Sequence, residues 1–98
     1  MTSSPVTTPG VDERSTTRTT LLPPWRVMLH NDDDHSMDFV VRALLHIVPS
    51  LSVEDAAAIM LEAHLTGVAL VIVTPRERAE FYCEGLRELG LISTIEPD

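Results

Sequence analysis

Proline, glycine and helix-capping residues divide residues 25–98 into six short segments, and this punctuation limits the folds that the chain can adopt. Segments with alternating apolar residues or a β-branched run predict strands, whereas apolar residues spaced three or four apart predict amphipathic helices. The first half of the predicted chain has a strand over residues 25–30, a helix from after Ser36 to about Val48, and a helix that follows Ser52 and ends at Gly67. The second half has a strand over residues 68–73, a helix that follows Thr74 and ends at Gly90, and a strand over residues 91–96. The order β-α-α-β-α-β predicts an α/β sandwich, in which three helices cover one face of a three-stranded antiparallel sheet.

Two of the predicted helices begin with specific capping signals. Ser52 precedes the second helix, and Asp55 three residues later predicts a capping box. Thr74 precedes the third helix, with Pro75 in its first turn and a glutamate three residues after the threonine. The run over residues 68–73 is β-branched and shows little alternation, which predicts a well-buried strand.

The composition changes sharply near residue 23. Residues 1–23 are rich in Thr, Ser and Pro and contain few large apolar side chains. Such a segment buries too little surface to offset the entropy lost on ordering, so we expect a disordered N-terminal extension. Residues 24–98 then form the single folded domain.

The residue counts exclude several classes of function. The chain has 15 acidic residues against 7 basic ones, giving a net charge of −8, and all the basic residues are arginine. An acidic chain is repelled by phosphates, so we expect no nucleic-acid binding. The absence of lysine excludes a Walker A loop and Schiff-base chemistry, and a single cysteine, Cys83, cannot form an internal disulfide.

Hydropathy also bears on location. No apolar run approaches the roughly 20 residues that span a bilayer, and the N-terminus lacks the apolar core of a secretory signal. We therefore expect a cytoplasmic protein that binds no membrane. Nothing in the sequence calls for a cofactor.

An acidic segment flanked by histidines separates the first strand from the first helix. Residues 30–35 read His-Asn-Asp-Asp-Asp-His. A solvated turn is the ordinary interpretation of such a segment. The three adjacent carboxylates repel one another, however, and no cation lies nearby in sequence, so the segment indicates a positively charged partner. His64, beside the apolar face of the second helix near its C-terminal end, is a further candidate binding residue.

Several motifs, in order along residues 24–98, resemble the ClpS adaptors of bacterial Clp proteases. They are Asn31-Asp32-Asp33, Met37-Asp38-Phe39-Val40, Met60-Leu61-Glu62-Ala63-His64 with Gly67 three residues further on, and Thr94-Ile95-Glu96. The resemblance implies a fold related to the C-terminal domain of the ribosomal stalk protein. It also implies a monomeric adaptor, not an enzyme, that recognises substrates beginning with Leu, Phe, Tyr or Trp. Such adaptors deliver their substrates to a ClpA- or ClpC-type unfoldase for degradation by ClpP.

The polar residues suit the task that this resemblance implies. A free α-ammonium group offers three hydrogen-bond donors and a positive charge, so reading it needs about three converging acceptors. By resemblance, the acceptors are Asn31, Asp32, Asp33 and His64. The first side chain of the substrate needs an apolar pocket as well. The pocket residues implied by the resemblance are Leu29, His35, Met37, Val40, Met60, Ala63 and Leu91.

Two of these positions depart from the family pattern. His35 stands where the family usually has threonine, and Ala63 replaces a common valine. We expect the alanine to widen the pocket in favour of larger rings, so that an N-terminal Trp or Tyr gains relative to Leu.

Two other interpretations stay open at this stage. One is a metal-dependent hydrolase that uses His30, His35, His64 and the aspartates, although the sequence shows no pair of histidines four apart on one helix face. The other is an interaction module of the ribosomal-stalk type that shares the fold but has no peptide pocket.

Overall fold

The computed structural model describes residues 22–98 and contains the six predicted elements in the predicted order. The strands are β1 (Trp25–His30), β2 (Val68–Thr74) and β3 (Ser93–Pro97), and the helices are α1 (Met37–Ile47), α2 (Val53–Thr66) and α3 (Arg76–Glu88). The predicted N-terminal extension, residues 1–23, lies outside the described residues except for its last two.

β1 is the central strand of the sheet. The strand order is β2-β1-β3, and both pairings are antiparallel. Val27 and Leu29, whose alternation predicted the strand, are buried in the core. Because β1 is paired on both sides, its backbone is held firmly up to the point where the acidic segment begins. This sheet with its three helices confirms the predicted α/β fold.

Each helix contributes an apolar stripe to a common core. The buried residues recur every three or four positions, and they are Val40, Ala43 and Leu44 in α1, Ala56, Ile59 and Ala63 in α2, and Ala79, Cys83 and Leu86 in α3. Full burial of one leucine, such as Leu44, contributes roughly 1.5–3 kcal/mol. Within the described part of the chain, no helix is long and apolar enough to cross a membrane.

Helix α1 begins directly after Ser36, as predicted, and α2 has the predicted capping box. The Ser36 hydroxyl accepts a hydrogen bond from the Phe39 amide at 3.1 Å. Ser52 and Asp55 form the reciprocal capping box, at 3.0 and 3.3 Å. Gly67 ends α2 with φ of 98°, in the left-handed region that favours glycine.

Two predictions around β2 are wrong. The strand over residues 68–73 is not uniformly buried, since Ala69 and Val71 reach the core while alternate residues are exposed. The reason is tertiary, because the helices cover only one face of the sheet, and the alternate side chains of β2 point to the other face. Thr74 is also not a helix cap. It is the buried last residue of β2, and Pro75 occupies the cap position without a side-chain hydrogen bond.

The connection between α3 and β3 is a turn rather than the start of a strand. β3 begins at Ser93, two residues later than predicted, and Leu91 is buried in the turn. Gly90 has φ of 92°. Arg87 Nε donates to the Ser93 carbonyl at 2.8 Å, and the Ser93 hydroxyl donates to the Met28 carbonyl at 2.8 Å. These bonds fix the turn beside the end of β1.

Candidate functional site

A cavity of about 260 Å³ lies where the end of β1, the start of α1, the second half of α2 and the turn before β3 meet. All eleven residues predicted to form the site line it. They are Leu29, Asn31, Asp32, Asp33, His35, Met37, Val40, Met60, Ala63, His64 and Leu91. His30 and Ser36 line it too, although the sequence pointed to His30 only as part of the acidic segment and as a ligand in the metal-site alternative, and to Ser36 only as the residue before the first helix.

Backbone hydrogen bonds hold the two halves of this cavity together. The Asn31 amide donates to the Gly67 carbonyl at 2.9 Å, and the Gly67 amide donates to the Ala63 carbonyl at 2.9 Å. The end of β1 is thereby joined to the last turn of α2, which carries His64. The His30 amide donates to the Ile92 carbonyl at 2.9 Å, which joins β1 to the turn before β3. Residues far apart in sequence therefore share one rim.

The polar side of the rim carries hydrogen-bond acceptors that the described residues do not occupy, and these belong to Asn31, Asp33 and His64. The Asn31 side-chain amide donates to Asp33 Oδ1 at 3.4 Å, which leaves the Asn31 carbonyl oxygen and Asp33 Oδ2 able to accept. His64 is exposed, and its ring takes part in none of the hydrogen bonds between described residues. The ion pairs of the described arginines lie elsewhere, so the charge of Asp33 is not neutralised by them.

Asp32 differs from its neighbours because its carboxylate is only 6% exposed and both of its oxygens are engaged. Oδ1 accepts from the Asp34 amide at 2.6 Å, and Oδ2 contacts His35 Nδ1 at 2.7 Å. The Asp34 amide lowers the pKa of Asp32 below its ordinary value of 3.8; burial opposes this shift, and the His35 ring adds to it. Asp32 therefore carries a fixed negative charge and holds the turn in shape.

The deep part of the cavity is apolar. Buried side chains from four different parts of the fold line it, namely Leu29, Val40, Ala63 and Leu91. Met37 is 47% exposed and Met60 is half-buried, so two flexible thioether side chains lie at its edge. Pockets for drug-sized ligands measure about 300–1,000 Å³. The smaller volume here suits a single side chain.

The described residues offer no set of ligands for the metal site considered above. Across residues 22–98, no three His, Cys, Asp or Glu side chains converge so as to hold a metal ion. His30 Nε2 lies 2.7 Å from Thr94 Oγ1, and the His35 ring is paired with Asp32. The stalk-type alternative without a pocket does not account for the cavity either.

Comparison with known proteins decides the family. The model of the family described as "ATP-dependent Clp protease adaptor protein ClpS" matches residues 21–93. The chain belongs to the ClpS family. Its match to the ClpS adapter of Synechococcus sp. (strain CC9902) is 57% identical over 76 residues, covering 78% of this chain and 73% of the relative. The match to the ClpS adapter of Synechococcus elongatus is 51% identical and covers 86% and 88%.

More distant ClpS relatives support the same assignment. A chloroplastic ClpS adapter of Arabidopsis thaliana is 43% identical over 94 residues, covering 94% of this chain and 59% of the relative. A solved structure of Agrobacterium tumefaciens ClpS2 bound to L-phenylalaninamide is 31% identical, with a TM-score of 0.74, covering 79% of this chain and 99% of that one. The ClpS resemblance seen in the sequence is therefore confirmed.

Proposed function

We propose that this ClpS-family chain binds the free α-amino group and the bulky hydrophobic first side chain of a substrate protein, and delivers that protein to a Clp protease. The first residues accepted are Leu, Phe, Tyr and Trp. In this proposal the chain acts as a monomeric cytoplasmic adaptor, not an enzyme, and its partner is a ClpA- or ClpC-type unfoldase that feeds ClpP.

One observation carries the binding proposal, namely that acidic acceptors and an apolar cavity share a single rim. A free N-terminus joins an ammonium group to a side chain through one carbon atom, so a reader of N-termini needs these two surfaces side by side. Internal peptide nitrogens carry no charge and one donor at most, so they cannot satisfy the polar side.

The roles of the polar residues follow from their present contacts. Asn31 and Asp33 each keep an acceptor oxygen outside their mutual hydrogen bond, and His64 contributes a ring nitrogen from α2. Hydrogen bonds from a charged donor are stronger than neutral ones, which suits recognition of an ammonium group. Asp32 adds negative charge from beneath, where both of its oxygens already hold the turn.

The apolar residues then select the first side chain. Burying a leucine or phenylalanine side chain contributes about 2–3 kcal/mol, which discriminates against alanine by one to two orders of magnitude in affinity. The ligand of the Agrobacterium structure, L-phenylalaninamide, carries both a free α-amino group and a benzyl side chain. That chemistry supports the proposed pairing of an acidic rim with an apolar pocket.

A comparison of free and acetylated peptides tests the proposal. A fluorescent peptide beginning with Phe is titrated with the protein, alongside the same peptide acetylated at its N-terminus and a third beginning with Ala. We expect the free Phe peptide to bind at least tenfold more tightly than both others, because acetylation removes the charge and two donors. Equal binding of the free and acetylated peptides would refute recognition of the α-amino group.

A further inference from the structure

The His35 ring is held on three sides. Its Nδ1 lies 2.7 Å from Asp32 Oδ2, and its face stacks on Phe39 with ring centroids 4.8 Å apart and planes 19° apart. Its far edge lies against Gly90, where an added Cβ would lie 3.1 Å from both His35 Cε1 and Nε2. The ring also lines the cavity and is 27% exposed as a side chain.

Gly90 has two separate reasons to be glycine. Its φ of 92° is one that other residues adopt only with strain. Its missing side chain also leaves the space that the imidazole edge of His35 occupies. The next residue, Leu91, lines the cavity as well, so His35 connects the acidic segment to the turn that contributes Leu91 to the cavity wall.

We propose that His35 is a specificity-determining residue that limits the size of the first substrate side chain, and that Asp32 is the positioning residue that holds it in place. The inference rests on the proposed function and adds to it a cause for selectivity among hydrophobic N-termini. The ring cannot swing aside without losing its contacts with Asp32, Phe39 and Gly90. Met37 and Met60 also line the cavity, and their unbranched side chains can adjust to the guest.

If His35 is a fixed wall, replacing it should change the preference between large and small first side chains in a known direction. Replacing the imidazole with a smaller group removes the fixed wall and enlarges the cavity, so a large ring gains contacts while a smaller side chain loses them. Each additional buried methylene changes affinity by about fourfold. The ratio of the affinities for Trp and Leu peptides therefore reports the position of the wall.

The experiment measures Kd for peptides that differ only in a first residue of Leu, Phe or Trp, with the wild-type chain, His35→Ala and His35→Asn. Asparagine places an amide N–H close to where Nδ1 lies, so it can keep the hydrogen bond to Asp32 while lacking the ring edge against Gly90. We expect both variants to shift the Trp-to-Leu affinity ratio at least about fourfold towards Trp. If His35→Ala fails to fold, His35→Asn gives the result alone.

Two further measurements separate a wall from a merely structural residue. Asp32→Asn keeps the side-chain volume but leaves one acceptor oxygen for two donors, the Asp34 amide and His35 Nδ1. We therefore expect the Trp-to-Leu affinity ratio to shift towards Trp. In a double-mutant cycle, Gly90→Ala is introduced into the wild-type chain and into His35→Ala. The backbone strain at position 90 is the same in both backgrounds, whereas the contact with the imidazole exists only in the wild-type chain. Gly90→Ala should therefore alter the Trp-to-Leu affinity ratio more in the wild-type chain.

An equal loss of affinity for all three peptides in the His35 variants would overturn the proposal, as would an unchanged ratio. The proposed function fails differently, since in that case the wild-type chain itself would not distinguish free from acetylated peptides.

Discussion

His64 provides the sharpest test of the polar rim, because it lies on α2 whereas Asp32 and Asp33 lie in the segment between β1 and α1, and because its ring makes no hydrogen bond to the described residues. Removing a hydrogen bond to a charged group costs about 1.5–3 kcal/mol. His64 is exposed, and solvent screens its interactions, so we expect His64→Ala to cost near the lower end, about tenfold in Kd for a peptide with a free N-terminal Phe.

The assay is fluorescence anisotropy with the free peptide, and the matched control is His46→Ala. His46 is likewise an exposed histidine in the last turn of a helix, but it does not line the cavity. We expect the control variant to bind like the wild type. A loss of affinity equal in the two variants, or no loss with His64→Ala, would refute the role of His64 as an acceptor.

Replacement by glutamine gives a second reading of the same residue. His64→Gln keeps a side-chain acceptor at this position of the rim, so we expect it to retain more affinity for the free Phe peptide than His64→Ala in the same anisotropy assay. Equal losses of affinity in the two variants would contradict the acceptor role.

Three further predictions concern stability and pocket size. Because the pKa of Asp32 is lowered in the folded state, its contribution to stability is complete above the ordinary value of 3.8 and is lost as the pH falls below that value. The free energy of unfolding, measured in urea, should therefore fall less steeply at acid pH in Asp32→Asn than in the wild-type chain. Ala63 is buried in the cavity wall, so Ala63→Val should weaken binding of a Trp peptide relative to a Leu peptide by about fourfold or more, and an unchanged ratio in the same anisotropy assay would contradict this. Gly67→Ala meets no atom within 4 Å but must adopt φ near 98°, so it should destabilise the fold by about 1–2 kcal/mol in urea unfolding, and a neutral substitution would show that the end of α2 rearranges.

Local signals were sufficient for most of the fold. Ser36, Ser52 and Gly67 specify helix ends through interactions with residues within four positions, so their roles could be predicted from the chain alone. Thr74 carried a comparable local signal, but pairing with Trp25 in the sheet places it in β2. Local propensity therefore failed where a strand from elsewhere in the chain competed for the same residue.

The burial of β2 shows the same limit. A β-branched run forms a strand on either side of a sheet or at its edge, and its composition does not say how many faces are covered. Alternate residues of β2 remain exposed because the helices pack against only one face of the sheet.

The chemistry of the site could be predicted from the chain, because acid groups, imidazoles and methionines are properties of residue types, and the family resemblance implied eleven of the thirteen residues that line the cavity. How those groups are used depends on the tertiary structure. It joins Asn31 to the last turn of α2, which carries His64, and it engages both oxygens of Asp32. It also places the His35 ring against Gly90, which lies 55 positions further along the chain. Such pairings depend on where separate elements meet in space, and the spacing of residues along the chain does not encode those distances locally.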